Sequence, residues 1–396
     1  MSKIVVIGSG ASGICTCLNL NDKDNEIILL EKDNDIAKKI LVTGNGRCNL
    51  WNSNMNNDFF YSSNRDLLDE LLTSKNKDKA FGFLNNLGIE YKVKNGYYYP
   101  YSNNAITVRN TLISELNRKN IKVITNYEVT DIKKDNNKFI INNDIECDKL
   151  IISTGGCSYT NTNNNIFDLL SKMNHNIIKP LPSLVGLKTK SKYNKYLHGV
   201  RSDVEVSVEV DNRLIKTEQG EIQFTDYGIS GICVFNLSRY ASIGLYNKKE
   251  VNCYINFLPF VEDVNGYIEY RLKRFSNLTI YENLLRVLNK KLVDIIFEES
   301  NISKDTYSIN DIVKSNLINN LSRFKVEVID TNGYKASQVT TGGVDLKDIN
   351  VSTMESKRVK DLYIIGEALD VDGDCGGYNL AFAFISALIC VGDIND

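Results

Sequence analysis

The pattern of apolar and polar positions at the N-terminus predicts a strand, a glycine-rich turn, a helix and a second strand. The apolar run Ile4–Ile7 shows no alternation, which is typical of a parallel strand that is covered on both faces. Gly8, Gly10 and Gly13 follow at GxGxxG spacing, and a second apolar run ends at Glu31. Ordinary glycine-rich turns also show this spacing, so the prediction of an adenine-dinucleotide site depends on the strand, helix and acid around it.

Each part of this segment has a physical role in binding a dinucleotide. The first glycine permits the tight turn, the second lets the backbone approach a pyrophosphate, and the third lets the helix pack close to the strand. The helix N-terminus presents unpaired N–H groups and a positive dipole end to the phosphates. A carboxylate 18 residues beyond the last glycine can accept hydrogen bonds from ribose hydroxyls. The residues predicted at this end of the cofactor are Gly8, Gly10, Ala11, Ser12, Gly13, Glu31 and Lys32.

The next 120 residues alternate between helical and extended patterns. Helical spacing is found at Leu67–Leu87 and Ile106–Asn117. Extended patterns occur at Tyr97–Pro100, Lys122–Asn126, Phe139–Asn142 and Lys149–Thr154. Helices that alternate with strands, followed by a short antiparallel patch, fit a doubly wound α/β sheet that carries a small β-insertion.

The middle of the chain changes character after two closely spaced prolines. Pro180 and Pro182 mark a boundary in a chain that has four prolines. Residues 185–258 follow an extended pattern, residues 261–321 follow a helical pattern, and Phe324–Ile329 is extended again. This segment therefore interrupts the nucleotide-binding domain.

The C-terminal segment predicts a second strand–glycine–helix unit. An apolar strand ends at Gly366, an acidic loop follows, and Gly376-Gly377 precedes the apolar helix Leu380–Cys390. An enzyme that binds NAD alone does not need a second unit, whereas the longer FAD has a ring end that needs its own site. A helix N-terminus beside the pyrimidine ring would stabilise the negative charge of reduced flavin. The two units together predict FAD.

Several motifs resemble those of the bacterial aminoacetone-oxidase-like FAD flavoproteins, a family that also contains bile-acid-reductase-like members. The motifs are TGNGRCN at Thr43–Asn49, GYYYPYSNNA at 96–105, LPSLVGL at 181–187, FTDYGISG at Phe224–Gly231, VTTGGV at Val339–Val344, TMESK at Thr353–Lys357 and GEALDVDGDCGGYNLAFAF at Gly366–Phe384. The resemblance covers nearly the whole chain. It implies a Rossmann-like FAD domain of the two-dinucleotide-binding type, interrupted by an insert with a β-barrel part and a helical part.

The resemblance also implies domain borders and further cofactor contacts. The FAD domain would comprise residues 1–184 and 335–396, and the insert 185–334, with a barrel at 185–260 and 322–334 and helices at 261–321. The residues implied along the middle of the cofactor are Gly44, Asn45, Gly46, Arg47, Thr154, Gly155 and Gly156, with Val129 at the adenine and Gly366 and Glu367 at the ribitol chain. The residues implied at the flavin ring are Gly376, Gly377, Tyr378 and Asn379. No residue is identified as catalytic.

Three of these expectations have alternatives. Arg47 would pair with phosphate through its guanidinium, or it is a surface ion-pair partner. Val129 would contact the adenine through its backbone, or it belongs to the core. The family tends to carry a proline and a glycine-rich turn where this chain has asparagines at 160–165, so cofactor contacts from that loop are an open point.

Cysteine and histidine usage narrows the chemistry. The nine cysteines are scattered and contain no CxxC, which argues against a disulfide framework, a zinc site and a redox dithiol. Cys48 is interpreted as a packing residue, with a redox sulfur or covalent flavin attachment as alternatives. Two histidines exclude catalysis by several histidines. Asp370, Asp372 and Asp374 lack the glycine and distal glutamate of an EF-hand loop, so no metal is expected.

Charge and hydropathy bear on partners and location. A net charge of −2 gives no general attraction to nucleic acid or anionic membrane. The first strand starts at residue 3, and the apolar run Leu380–Val391 is too short to span a bilayer, so a cytoplasmic protein is expected. A small-molecule substrate is expected as partner, and the pattern says nothing about the oligomeric state.

The leading prediction is an FAD-dependent oxidoreductase that reduces a small organic substrate with electrons from NAD(P)H. No second GxGxxG follows a strand, so NAD(P)H would act as a transient donor. Alternatives are a flavin-dependent oxidase of a small amine, a non-catalytic redox sensor and a flavin-dependent RNA-modifying protein. The last rests on a basic stretch interleaved with aromatic residues: Lys188, Lys190, Lys192, Tyr193, Lys195, Tyr196 and Arg201.

Overall fold

The computed structural model describes residues 2–119, 121–159 and 165–395. Positions 160–164 of the predicted asparagine-rich turn lie outside the described residues. The chain forms two compact units, of which the first combines Met1–Leu181 with Gln338–Asp396 and the second is Pro182–Ser337. The borders expected from sequence, at 184/185 and 334/335, differ from these by three residues each.

The N-terminal part of the chain alternates strands and helices. Its strands are β1 (Ser2–Ile7), β2 (Asn25–Leu30), β3 (Trp51–Asn52), β4 (Phe60–Tyr61), β5 (Tyr91–Lys94), β6 (Tyr97–Pro100), β7 (Lys122–Ile124), β8 (Ile132–Asp135), β9 (Lys138–Ile141), β10 (Ile145–Cys147), β11 (Lys149–Ile152) and β12 (Ile177–Ser183). Its helices are α1 (Ala11–Asn19), α2 (Arg65–Leu71), α3 (Ser74–Asn86), α4 (Ala105–Arg118) and α5 (Ile166–Lys172).

The remaining elements belong to the insert and to the C-terminal return. The insert contains β13 (Leu187–Thr189), α6 (Asn194–Leu197), β14 (Arg201–Val210), β15 (Arg213–Phe224), β16 (Gly228–Ser230), α7 (Ile232–Tyr246), β17 (Val251–Asn256), α8 (Val264–Arg274), α9 (Ile280–Leu284), α10 (Lys290–Ser300), α11 (Asp311–Ser322) and β18 (Phe324–Thr331). The C-terminal return contains β19 (Val339–Val344), β20 (Leu362–Ile364), β21 (Asp372–Gly373) and α12 (Tyr378–Asn395).

A five-stranded parallel sheet forms the centre of the first unit, in the order β20-β11-β1-β2-β7. Ile4 pairs with Ile27 of β2 on one side and with Lys149 of β11 on the other, so β1 is an inner strand. Ile4, Val5 and Val6 are fully buried, as a strand covered on both faces requires. The expected Rossmann-like α/β fold is confirmed. The carboxyl ends of these strands all reach the same edge, where such sheets bind ligands.

The insert contains a closed antiparallel barrel, in the order β13-β16-β15-β14-β17-β18. Alternate residues of β14 point into it, because Val204, Val206 and Val208 are fully buried while the residues between them are less so. Helices α8–α11 follow β17 in the chain, and Leu292, Ile296 and Leu317 share the apolar core of the barrel strands. The expected barrel and helical parts are therefore present.

Two local expectations are wrong. The extended pattern expected throughout 185–258 is interrupted by α7 (Ile232–Tyr246), which buries polar residues such as Ser238 and Ser242 beside apolar ones. Because several of its faces are buried, this helix lacks a clean apolar stripe. The helical pattern expected over Leu67–Leu87 does not continue through the whole range: it is divided into two helices, because Thr73 breaks the run and accepts a hydrogen bond from the backbone N–H of Asn76 as N-cap.

The C-terminal helix α12 is long and apolar enough to cross a membrane by length and composition, and it is the only such helix in the described part of the chain. Of its most apolar window, 61% is buried inside the protein. It packs against α1 and α3 of the first unit. Phe382, Phe384 and Ile385 are among its buried side chains. Core packing therefore accounts for the apolar composition of this helix.

Candidate cofactor site

The three glycines after β1 differ in what surrounds them. Gly8 has φ +102°, and a Cβ there would lie 2.5 Å from the carbonyl oxygen of Ser153. A Cβ on Gly13 would lie 2.5 Å from the Ser153 Oγ. A Cβ on Gly10 would meet no heavy atom of the described residues within 4 Å. The first and third glycines are therefore required by protein packing, while the second faces open space that a pyrophosphate can approach.

The start of α1 is suited to an anion. Gly10 is the N-cap and contributes no side-chain hydrogen bond to the first turn. The first turn of α1 contains no acidic residue, so no side-chain charge opposes a phosphate there. Ala11 and Ser12 form the first turn of this helix and follow Gly10 directly. The predicted anion-binding residues thus share one helix end.

Glu31 follows β2, and its carboxylate is held by the glycine turn. One oxygen accepts from the backbone N–H of Ser9 at 3.0 Å and from the Ser9 hydroxyl, and the other accepts from the Asp33 N–H at 2.9 Å. These bonds fix the acid at the sheet edge beside Gly8 and Gly10. Its predicted contact with ribose stays a prediction. Lys32, the next residue, is exposed.

The TGNGRCN segment is a compact turn with several left-handed residues. Gly44, Asn45 and Gly46 have φ of +55°, +56° and +79°. A Cβ on Gly44 would lie 2.9 Å from the backbone nitrogen of Asn49, so this glycine is required by the turn itself. The exposed Arg47 guanidinium lies 5.2 Å from the centroid of the Tyr99 ring. Its predicted phosphate contact stays a prediction.

The two glycine units, from opposite ends of the chain, are in contact at Ser12 and Gly366. Gly366 follows β20 with φ +65°, and a Cβ there would lie 2.6 Å from the Ser12 Oγ. Its backbone N–H donates to the Ser386 hydroxyl of α12 at 2.9 Å. Since Ser12 belongs to the first turn of α1, the structure brings the predicted pyrophosphate and ribitol segments into contact.

Glu367 is the centre of a polar cluster that sequence reasoning did not find. Its carboxylate accepts from Lys39 Nζ at 2.6 Å, from the Thr340 backbone N–H at 2.8 Å and from the Ser158 hydroxyl at 3.3 Å. Lys39 also donates to the Ser158 hydroxyl at 2.5 Å. The sequence signal for these residues was that Lys39 lies shortly before TGNGRCN and Thr340 lies inside VTTGGV. Neither motif shows that both residues bind Glu367.

The segment Thr154-Gly155-Gly156 continues from β11 past this cluster. Gly155 has φ +70°, and a Cβ there would lie 3.7 Å from a carboxylate oxygen of Glu367. A Cβ on Gly156 would lie 2.5 Å from the Thr340 Oγ1. The Thr340 hydroxyl also accepts from the backbone N–H of Cys157 at 2.8 Å. The structure therefore brings this segment and Glu367 together, and the predicted contact of the segment with the cofactor stays a prediction.

The Gly376-Gly377 pair is packed against protein atoms. A Cβ on Gly376 would lie 2.8 Å from the Tyr97 ring, and a Cβ on Gly377 would lie 2.8 Å from the backbone of Trp51. Asn52 donates its side-chain N–H to the Gly376 carbonyl at 3.0 Å. The pair therefore joins the start of α12 to the β3–β6 ribbon, a role that the sequence did not reveal.

Tyr378 and Asn379 are engaged within the protein. The Tyr378 ring stacks on Phe59 with centroids 4.9 Å apart, and its hydroxyl donates to the Asn54 carbonyl at 3.0 Å. Burial raises the pKa of Tyr378 well above its usual value. Asn379 accepts from the Gly373 N–H at 2.9 Å and donates to the Gly373 carbonyl at 2.8 Å, which ties the acidic loop to α12. Their predicted flavin contacts stay predictions.

Val129 lies in the interior. It is 6% exposed, and its carbonyl accepts from the Asn165 side chain at 3.0 Å. Its side chain is therefore part of the core, the alternative that the sequence left open. Contact between its backbone and an adenine stays a prediction.

The cysteines are reduced and mostly buried. None of the nine forms a disulfide, and Cys375 is the one that is not buried. Burial raises the pKa of Cys48 to about 11, and the Thr43 hydroxyl offsets this in part. A buried thiol with a raised pKa is a poor nucleophile, which supports the interpretation of Cys48 as a packing residue.

The acidic loop is buried against its neighbours. Asp370 accepts from the backbone N–H of Ser63 at 2.8 Å, and Asp374 accepts from the Tyr61 hydroxyl at 3.1 Å. Asp372 is 1% exposed. Over residues 2–119, 121–159 and 165–395, no group of three or more His, Cys, Asp or Glu is arranged to hold a metal ion.

These observations fit an elongated dinucleotide. The open face of Gly10 and the uncapped start of α1 suit its pyrophosphate, and Gly366 and Glu367 lie in contact with that helix and its neighbours. The residues that would hold FAD therefore come from both ends of the chain.

Comparison with known proteins gives three findings. A family model described as the HI0933-like protein Rossmann domain matches residues 2–393. The chain is 33% identical over 400 residues to a 3-dehydro-bile acid delta(4,6)-reductase of Clostridium scindens, covering 98% of each. It is 27% identical over 403 residues to a ribosomal RNA dihydrouridine synthase of Escherichia coli, covering 98% of this chain and 97% of that protein.

A solved structure shows the same fold. The open conformation of a flavocytochrome c3 fumarate reductase aligns with 100% of this chain and 78% of its own, with a TM-score of 0.50 and 12% identity. Fold, paired glycine units and comparisons together define a Rossmann-type, FAD-dependent oxidoreductase. Within that class, the chain belongs to the HI0933-like family. The expected family, fold class, cofactor and enzyme class are confirmed.

Proposed function

We propose that this protein reduces a carbon–carbon double bond conjugated with a carbonyl group, with NAD(P)H as the electron donor. The names of the two relatives support this reaction class. A delta(4,6)-reductase of a 3-dehydro bile acid and a synthase of dihydrouridine both add two hydrogens to a ring double bond in conjugation with a carbonyl. In the proposed reaction one hydride and one proton would be added to the double bond, and NAD(P)H would leave as NAD(P)⁺.

The observation that carries the proposal is the contact between the two glycine units at Ser12 and Gly366. This contact lets one cofactor be held by both ends of the chain, as FAD requires. When bound, FAD accepts a hydride from a donor and delivers it to an acceptor. Electron transfer through a dithiol has no support in the structure, because burial raises the thiol pKa of Cys48 and of other cysteines.

The residues of the chain would bind and orient the cofactor. Gly10 and the N–H groups at the start of α1 would hold the pyrophosphate. Glu367, fixed by Lys39 and by the Thr340 N–H, would accept hydrogen bonds from hydroxyl groups of the ribitol chain. The positive charge of Lys39 would reduce the repulsion between this carboxylate and the phosphates.

The first candidate substrate is a small cyclic enone, by analogy with the bile-acid reductase. The second candidate is a uridine in RNA, by analogy with the dihydrouridine synthase. The cytoplasm is the proposed location, because nine cysteines that form no disulfide fit a reducing compartment.

The test is anaerobic stopped-flow spectroscopy of the purified flavoprotein. We expect NADH or NADPH to bleach the flavin, and a 3-oxo-Δ4,6 bile acid or a uridine-containing RNA to restore its colour faster than oxygen does. Mass spectrometry should then find two added hydrogens on the substrate. Reduction by a simple amine, followed by rapid reoxidation by oxygen, would instead identify the amine oxidase, and slow reduction by every donor would identify a redox sensor.

A further inference from the structure

The helical part of the insert carries an uneven charge distribution. Residues 271–291 contain six basic residues and one acidic residue, although the whole chain has a net charge of −2. Three of the basic residues, Arg271, Arg274 and Arg286, surround the ring of Phe275. Their guanidinium carbons lie 5.3, 5.6 and 5.7 Å from the ring centroid. We call Arg271, Arg274, Phe275 and Arg286 the Phe275 cluster.

The cluster is held in place by neutral groups. Arg271 donates to the side-chain oxygen of Asn283 at 3.1 Å and to its carbonyl at 3.0 Å. Asn283 is 2% exposed, so this arginine is anchored to the core of the helical part. Arg274 donates to the Tyr270 hydroxyl. Within the described residues, none of the three guanidinium groups has a carboxylate within 4.0 Å, the distance that defines an ion pair.

The nearest acids in sequence are engaged elsewhere. Glu269 pairs with Lys314 at 2.9 Å. Glu282 closes the capping box of α9, where its carboxylate accepts from the Thr279 N–H at 2.8 Å. The three positive charges around one ring repel one another. Their attraction to the faces of the ring offsets only part of this repulsion. An anion bound from outside would remove the repulsion.

The basic stretch that the sequence singled out behaves differently. Lys188 pairs with Asp330 at 3.0 Å, and Arg201 pairs with Glu221 at 2.8 Å. Lys192 pairs with Glu298 at 2.7 Å, and the neighbouring Tyr193 hydroxyl donates to Glu299 at 2.6 Å. This stretch is therefore largely neutralised by acids, and it supplies an internal control for the Phe275 cluster.

We propose that the Phe275 cluster is a binding surface for single-stranded RNA. A guanidinium that stacks on a ring keeps its in-plane N–H groups available for a phosphate. Tyr270, 54% exposed, and the half-buried Phe275 offer ring surface to bases. Arginines together with aromatic surface favour RNA over an anionic membrane, which needs charge but no stacking. RNA binding by this cluster does not depend on the proposed function. Only the role of the bound RNA as a substrate rests on it, through its second candidate substrate, a uridine in RNA.

The experiment measures binding of a short fluorescein-labelled oligouridylate to the full-length, FAD-loaded protein by anisotropy across a salt series. The test variant is Arg274→Gln with Arg286→Gln. The control is Lys188→Gln with Lys190→Gln, which removes two exposed cations that are ion-paired. Loss of two phosphate contacts should weaken binding about tenfold or more and lower the slope of log K against log salt by about 1.4. The control should stay within about twofold of the wild type.

A third variant, Phe275→Leu, keeps apolar volume and removes the ring, so it should weaken binding without changing the salt slope. Thermal melts of all variants check that they fold. Failure of the wild type to bind at low salt would overturn the proposal, as would wild-type binding by the double arginine variant. Binding to phosphatidylglycerol vesicles without binding to the RNA would also overturn it. Flavin reduction by NAD(P)H, recorded on the same preparation, tests the proposed function separately.

Discussion

Lys39 and Glu367, 328 residues apart in sequence, form an ion pair with 2.6 Å between Nζ and Oε2. The pair joins the segment before TGNGRCN to the glycine turn after β20. It places a positive charge beside the acid at the carboxyl edge of the parallel sheet, where Gly155 and Gly156 also lie. If Glu367 contacts the cofactor as proposed, Lys39 would compensate the charge of this acid beside the anionic cofactor.

Replacement of this lysine should weaken cofactor binding more than folding. Lys39→Met leaves Glu367 with the Thr340 N–H and the Ser158 hydroxyl but adds one net negative charge near the proposed cofactor position, so FAD affinity should fall about 5- to 10-fold. Fluorescence titration of the apoprotein with FAD measures the affinity. The matched control is Lys38→Met, which makes the same charge change at a more exposed pair with Asp33. Equal losses in both variants would contradict a specific role for Lys39.

The glycines at 8 and 10 should separate stability from binding. Gly8→Ala forces a side chain into a positive φ and against the Ser153 carbonyl, so it should lower the free energy of unfolding by about 2 kcal/mol or more. Gly10→Ala meets open space, so it should keep stability and reduce FAD affinity, because its methyl group faces the predicted pyrophosphate position. Urea unfolding of the apoprotein and FAD titration check the two effects. Normal FAD affinity in Gly10→Ala would place the pyrophosphate elsewhere.

Gly377 should be essential to the fold. Gly377 has φ +94°, and in Gly377→Ala the Cβ would lie 2.8 Å from the Trp51 backbone, which cannot move away easily. The free energy of unfolding should therefore fall by about 2 kcal/mol or more. Gly392→Ala lies inside helix α12, which follows Gly377, and its Cβ would have no described heavy atom within 4 Å, so it should instead stabilise the protein by up to about 1 kcal/mol. Opposite shifts in thermal melting temperature are the expected outcome, and similar shifts would argue against the packing role.

His175 should make stability fall in mild acid. It is 3% exposed, and burial lowers its pKa from the usual 6.5, although the Leu170 carbonyl and Asp348 act in the opposite direction. Because the unfolded chain takes up the proton first, this contribution to stability is complete above pH 6.5 and is lost as pH falls below it, with a slope of at most about 1.4 kcal/mol per pH unit. Urea unfolding between pH 5 and pH 8 measures the slope, and His175→Gln should flatten it. An unchanged slope in that variant would point to other groups.

Cysteine alkylation should be selective. Cys375 is the one cysteine that is not buried, whereas burial raises the pKa of Cys48 to about 11. Brief treatment of the native protein with iodoacetamide should therefore label Cys375 first, as peptide mass spectrometry can show. Early labelling of Cys48 would revive its interpretation as a reactive sulfur.

Local patterns predicted much of the architecture. The apolar run Ile4–Ile7 was recognisable as an inner parallel strand, because burial on both faces removes alternation. The helix α7 was not recognisable, because burial on several of its faces removes the stripe on which helix prediction depends. The split between α2 and α3 depended on a single cap, Thr73, inside an otherwise helical pattern.

The residues of the candidate site were also predicted only in part from the sequence. Gly8, Gly10 and Gly13 were predicted because their GxGxxG spacing lies within one segment, although Ser153, against which Gly8 and Gly13 pack, became visible only in the structure. Lys39 and Thr340 were missed as partners of Glu367, because each lies in a different segment and only folding places them around one carboxylate. The basic residues were visible in both stretches of the insert, but which of them have acidic partners was not.

The sequence by itself determined the order of strands and helices in the nucleotide-binding domain, the two glycine units and the choice of FAD, since these depend on periodicity and on backbone conformations that few residues adopt. Only the tertiary structure decided that Ser12 contacts Gly366, that Trp51 fills the space beside Gly377, and that the arginines around Phe275 have no acidic partner among the described residues. Such contacts depend on distances between segments that are remote along the chain, and local patterns carry no information about those distances.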